Sequence, residues 1–225
     1  MRMGLEFGKR GMAKYISHLD LQRAFSRAIR RSKMPVKLSQ GFNPHFVVSF
    51  ASALALGIQS ECECVEMALE QDVAPDVFLA AMKRALPPGL EAKRALRLAQ
   101  KAPKLMAAVR EAEYAVYFQN ADMGKINAAV CDILDETQIV LSKVHKGKTK
   151  EFDMRPMILQ LDASGSVMTM RLASAPTGSL KPQFVLDEIG RRAGSFEASV
   201  VRVALYAHVG GKATELLTAC SDIDQ

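Results

Sequence analysis

Long apolar runs, cysteine clusters and nucleotide-binding motifs are all missing from this sequence, and each gap removes a class of protein. No apolar stretch approaches the roughly 18 residues a membrane span needs. The opening MRMGLEFGKR carries charge but neither an apolar core nor a small-residue cleavage site, so a cytoplasmic chain with no membrane partner is expected. Cysteine is sparse: Cys62, Cys64, Cys131 and Cys220, read as reduced thiols. Cys62 and Cys64 share one face of an expected strand, but their spacing is neither that of a zinc pair nor of a redox CxxC, so no metal site is expected. Without a three-cysteine cluster motif, the chain alone cannot hold a radical-generating iron–sulfur centre, and no cofactor is expected in it. Walker, G-x-G-x-x-G, H-E-x-x-H and G-x-S-x-G motifs are absent too.

Acidic residues are scarce where basic ones crowd. Residues 1–45 hold Arg2, Lys9, Arg10, Lys14, Arg23, Arg27, Arg30, Arg31, Lys33 and Lys37 against only Glu6 and Asp20. The whole chain is +6, so the remainder is slightly acidic. A surplus confined to one segment points to a polyanion-facing surface.

What is present describes an ordinary globular chain, 49% hydrophobic and 24% charged. Its 225 residues suit two modules of about 100 each. Residues 2–8 read as a strand, and Met12 to Ile16 extends it or folds back on it. Ser17-His18-Leu19-Asp20 has the S-x-x-D form of a helix start. That helix runs to about Lys33, ahead of Pro35, with Leu21, Phe25, Ala28 and Ile29 as its buried stripe. Strands follow from Phe46 to Phe50 and from Cys62 to Leu69. Pro75 opens a helix burying Phe78, Leu79, Met82 and Leu86, and Leu90 to Leu98 closes the module.

The order β-α-β-β-α-β then repeats. Tyr114–Phe118 is a strand, and the helix from Asp122 to Leu134 buries Met123, Ile126, Val130 and Leu134. Strands at Ile139–Val144, Met154–Leu161 and Val167–Leu172 lead to a helix opened by Pro182 and a closing strand, Ala198–Tyr206. The expected fold is α+β, a tandem ferredoxin-like arrangement. Its divisions are an N-terminal module at 1–98, a connector at 99–111, a C-terminal module at 112–210 and a tail at 211–225.

Four constellations are candidates for chemistry. Arg23, Arg27, Arg30 and Arg31 share one side of the first helix and suit phosphate oxygens, with Lys14 nearby; the alternative is a solvated face. Gln40-Gly41-Phe42-Asn43-Pro44-His45 offers a ring to stack on a base and amides to read its edge, or is a plain turn with Phe42 in the core. His18 and His45 are the candidate catalytic bases, unless His18 only completes a cap network. In the second module Lys148, Lys150 and Arg155 form a further phosphate patch, unless the lysines serve only a soluble hairpin tip.

The run Ser17-His18-Leu19-Asp20, Arg23, Arg27-Ala28, Arg30-Arg31, Pro35, Ser39 and Gly41-Phe42-Asn43-Pro44-His45, with Leu56-Gly57 and Ser60-Glu61, resembles the radical-SAM-associated family of uncharacterised bacterial proteins. The likeness is sharp over residues 1–70 and weaker beyond, where Lys150, Asp153 and Arg155-Pro156 fit. Phe46-Val47 departs from the proline and basic residue the family commonly carries there. The resemblance implies a radical SAM enzyme as partner, carrying the iron–sulfur cluster and S-adenosylmethionine, in a setting often near ribonuclease and ribosomal-protein genes. It brings no established activity. A looser similarity of architecture is to the CRISPR repeat-processing endoribonucleases.

Three functions are therefore in play. The chain is expected to be an RNA-binding accessory subunit of the radical SAM enzyme, in RNA modification or processing. Its rivals are a metal-independent endoribonuclease, and a protein-interaction subunit of that enzyme touching no RNA.

Overall fold

The computed structural model describes residues 1–145 and 148–222, with the backbone alone described at 143–145 and 148–150. Two compact units emerge: Met1–Arg110 with Arg202–Gln225, and Glu111–Val201. Strands and helices alternate through both, so the protein is α+β. No described helix is long and apolar enough to cross a membrane.

Unit one begins with β1 (Arg2–Lys9), a 3₁₀ turn at Gly11–Tyr15 and α1 (His18–Ser32). It continues through β2 (Val48–Phe50), β3 (Gln59–Ala68), α2 (Pro75–Ala85), β4 (Leu90–Arg97) and the short α3 (Leu105–Ala108). The strands lie in the order β4-β1-β3-β2, all antiparallel. Met3, Leu5 and Phe7 alternate along β1 and are fully buried beneath α1 and α2. The period-two pattern of the strand fixes which face that is. α1 buries Leu21, Phe25, Ala28 and Ile29, the stripe its sequence spacing predicts. α2 buries Phe78, Ala81, Met82 and Ala85, while Leu79 and Leu86 reach only the core margin. Phe7, Phe25 and Phe50 interlock, with ring centroids 4.8–6.2 Å apart, and tie β1, α1 and β2 together.

Unit two contains β5 (Glu111–Gln119), α4 (Met123–Asp135), the hairpin β6 (Val140–His145) and β7 (Lys148–Asp153), then β8 (Ile158–Ser164), β9 (Val167–Ala175), β10 (Gly178–Ser179) and α5 (Pro182–Ala193). β9 pairs with β5 on one side and with β8 and β10 on the other. Asp122 caps α4 by accepting from the backbone N–H groups of Gly124 and Lys125. α4 buries Ile126, Ala129, Val130 and Ile133; Leu134, expected inside, is exposed. The strand expected at Met154–Leu161 opens instead with a 3₁₀ turn at Arg155–Met157, where Pro156 withholds a ladder donor, and begins at Ile158.

β11 (Glu197–Val209) starts in unit two and ends in unit one. β12 (Lys212–Glu215) hairpins back on it and leads into α6 (Leu216–Ala219). Residues 211–225 are expected as a tail, but Lys212–Glu215 are a strand and Leu216–Ala219 a helix that enters the core. Leu216 and Leu217 are buried, and a Cβ on Gly4 would come within 2.3 Å of Leu217. The glycine lets β1 and α6 approach.

Candidate nucleic-acid interface

α1 is built for a fixed start. Ser17 Oγ accepts from the Asp20 backbone N–H at 3.1 Å and donates to Asp20 Oδ2 at 2.7 Å. The Ser17 hydroxyl, with Arg23 next to it, holds the Asp20 carboxyl below its ordinary range. A buried charge group underpins the turn that precedes the helix. Lys9, Glu63 and Arg202 are 2%, 3% and 2% exposed. Lys9 Nζ donates to the carbonyl of Ile16, and burial pulls its ammonium below the usual lysine range. Arg202 ion-pairs with Glu63 at 3.2 Å and donates to the Ala53 carbonyl. Both chain segments flanking the helix entrance are thereby pinned.

The arginine row divides. Arg23 lies 3.0 Å from Asp20 in an exposed pair, which removes only part of its charge from the surface. Arg27 and Arg30 are exposed and, with Leu19, Gln22, Arg23 and Ser26, line a shallow open depression. Arg31 turns away: its Nε and Nη2 both donate to the carbonyl of Ala85, the last residue of α2. A cation on an orphan helix-end carbonyl is a structural bond, favoured by the dipole there.

The loop lies beside this row. Arg30 sits over the Phe46 ring at 6.0 Å, which joins the helix face to the loop exit. Leu38 bridges Phe46, and the Ser39 backbone N–H donates to the His45 carbonyl at 2.7 Å, closing the loop base. His45 returns its own N–H to Ser39 Oγ at 3.1 Å, and its Nδ1 lies 2.9 Å from the same hydroxyl. Gly41, at φ 123°, turns the chain where a side chain would be strained. Gln40, Phe42 and Asn43 project from this closed base into solvent, with the Phe42 ring 106% exposed. Phe42 is not in the core.

The other candidates scatter. His18 is bonded to Gln22 at 3.1 Å and stands edge-on to Phe50, whereas His45 belongs to the loop clamp. Lys14 Nζ lies over the Tyr15 ring at 5.0 Å, and the Lys14 carbonyl accepts from Gly57. Arg155 belongs to unit two and is fully engaged with backbone, donating to the carbonyls of Leu134, Glu136 and Ile158. It closes the end of α4. The side chains of Lys148 and Lys150 lie outside the described residues. Sequence reasoning passed over Phe46, the ring that seats Arg30, and the exposed Met12, Tyr15, Leu19 and Leu56 around the start of α1. Isolated apolar residues carry no periodic signal of exposure.

A two-unit α+β protein that presents a basic helix beside an aromatic-tipped loop is the class these features define. The chain belongs to the bacterial family described as "Uncharacterized protein conserved in bacteria (DUF2344)", which matches residues 2–182. Among solved structures, the Cbf5-Nop10-Gar1 complex contains a chain similar at 11% identity and a TM-score of 0.44, covering 90% of this chain and 48% of that one. This chain thus spans about half the length of that relative. An unknown protein from Galdieria sulphuraria is similar at 15% identity and a TM-score of 0.25, covering 90% and 97%. Neither likeness is close enough to carry an argument about fold or function. No curated protein matches the chain.

Proposed function

We propose that this protein is an RNA-binding accessory subunit of a radical SAM enzyme, built as two ferredoxin-like modules. The module reading is supported by the β4-β1-β3-β2 order of unit one, which is the order of a split βαβ unit, and by the element order of unit two. The partner rests on the resemblance of the Ser17–Asp20 and Gly41–His45 motifs, and it would carry the iron–sulfur cluster and S-adenosylmethionine.

The observation that carries RNA binding is the Phe42 ring, wholly in solvent on a clamped loop whose exit residue Phe46 meets Arg30 of the exposed arginine row. An exposed ring gains by stacking an unpaired base, and adjacent guanidiniums bond phosphate oxygens in pairs. Arg23, Arg27 and Arg30 hold the backbone in this reading, while Gln40, Phe42 and Asn43 meet the nucleotide. The test is single-stranded RNA binding across a salt series. Binding should weaken steeply with salt, and the Arg27→Ala/Arg30→Ala variant should lower the slope of log K against log salt by roughly 1.4. An unchanged slope and affinity in that variant would overturn the reading.

A second reading has its own observation. Met12, Tyr15, Leu19 and Leu56 are exposed, the Gly57–Lys14 bond brings the Leu56 segment beside the turn before α1, and such exposed apolar residues suit a protein partner. Docking of the radical SAM enzyme there is compatible with RNA on the basic face. The endoribonuclease alternative has the least support, since His18 and His45 are held by different neighbours.

A further inference from the structure

A second cluster lies on unit one, across the β1–β3 ladder. The register sets Glu6 of β1 directly opposite Cys64 of β3, and opposite Arg94 of β4 on its other side. Cys62, two residues before Cys64, projects from the same face. One ligand atom from each of Glu6, Cys62 and Cys64 comes within 4.8 Å of the other two. We propose that these three residues form a binding site for a thiophilic divalent cation, zinc above all.

The donor set carries the argument. Two thiolates and one carboxylate make a three-protein-ligand zinc site with a fourth position for water or a partner's group. Zinc–sulfur bonds of about 2.3 Å and zinc–oxygen bonds of about 2.0 Å place tetrahedral ligand atoms roughly 3.5–3.8 Å apart. The observed spread therefore needs side-chain torsions alone to close by about an ångström. Cys64 is buried, Cys62 and Glu6 half-buried, so the ladder supplies a rigid floor and one open side. Arg94 Nη2 holds one carboxylate oxygen of Glu6 at 2.9 Å, orienting the group and leaving the second oxygen to bind.

A bound dication would stabilise both thiolates, releasing their protons on binding. Sequence spacing hides the site because C-x-C supplies two ligands and the third comes from across the sheet, some 56 residues away in the chain.

The test uses the full-length chain, reduced and stripped of metal, titrated with Co²⁺. One equivalent should bind with sulfur-to-cobalt charge-transfer absorption, and Zn²⁺ should displace it. Cys131→Ser, at an exposed position on α4, should leave the spectrum unchanged. Cys62→Ser should weaken binding at least tenfold and halve the charge-transfer intensity, and Glu6→Gln should weaken it while keeping that band. Zn²⁺ should raise the melting temperature of the parent chain and not that of Cys62→Ser. Absence of a charge-transfer band in the reduced parent chain would overturn the proposal. So would a band that survives in Cys62→Ser/Cys64→Ser.

Discussion

Arg30 and Arg31 are neighbours in sequence, a hundred degrees apart around α1, and they do different work. Arg31 satisfies the terminal carbonyl of α2 with two donors, so Arg31→Ala should destabilise unit one by about 1–3 kcal/mol, measured by chemical denaturation. Arg30 is exposed and sits over the Phe46 ring, so Arg30→Ala should leave the melting temperature within about 1 °C while weakening RNA binding. Phe42→Ala should cost roughly 1–3 kcal/mol of binding, a five- to 150-fold loss read by fluorescence anisotropy, with no change in stability because the ring packs on nothing. The sequence spacing set all four arginines on one side of α1, but Arg31 leaves that row to bond the end of α2. It could not tell which would meet a carbonyl, because α2 lies some fifty residues further along. Arg155 misleads for the same reason: its partners at Leu134 and Glu136 come from the preceding helix end.

α1 was the most legible element, since its cap, its Leu21/Phe25/Ala28/Ile29 stripe and its end before Pro35 all agree. Ser17→Ala should lower stability by about 0.5–2 kcal/mol and increase hydrogen exchange in the first turn. α4 was less legible: Met123 and Leu134 are apolar residues near helix ends, where the phase of a short stripe drifts, and Ala129 and Ile133 took the inner face. β3 carries an electrostatic tie to the turn ahead of α1 and to β4. Glu61 is bonded to Arg10 first and Lys93 second, and these hold its carboxyl at about 2, down from 4.5. A depressed carboxylate stabilises the fold above its unfolded value and loses that contribution as pH falls from about 4.5 through 2. Glu61→Gln should therefore flatten the loss of stability over that window, measured by denaturation at successive pH values.

At the scale of the molecule, unit one is discontinuous, and no local pattern announced it. Residues 211–225 look polar and short enough to be a tail, yet Leu216 and Leu217 pack beneath β1 and Arg202 holds Glu63. Deleting residues 211–222 should raise hydrogen exchange across β1, β3 and β4 while leaving β5, β8 and β9 protected. Equal loss of protection in both groups of strands would contradict the division into units.

That discontinuity has a consequence for synthesis. The ribosome delivers the basic helix and its loop before unit two, whereas Arg202, Leu216 and Leu217 emerge only after the whole of unit two has been made. A prematurely terminated polypeptide would display the cationic surface on an unfinished scaffold, with Glu63 and Lys9 buried around a missing guanidinium. Only a chain translated through Leu217 completes the platform on which that surface stands.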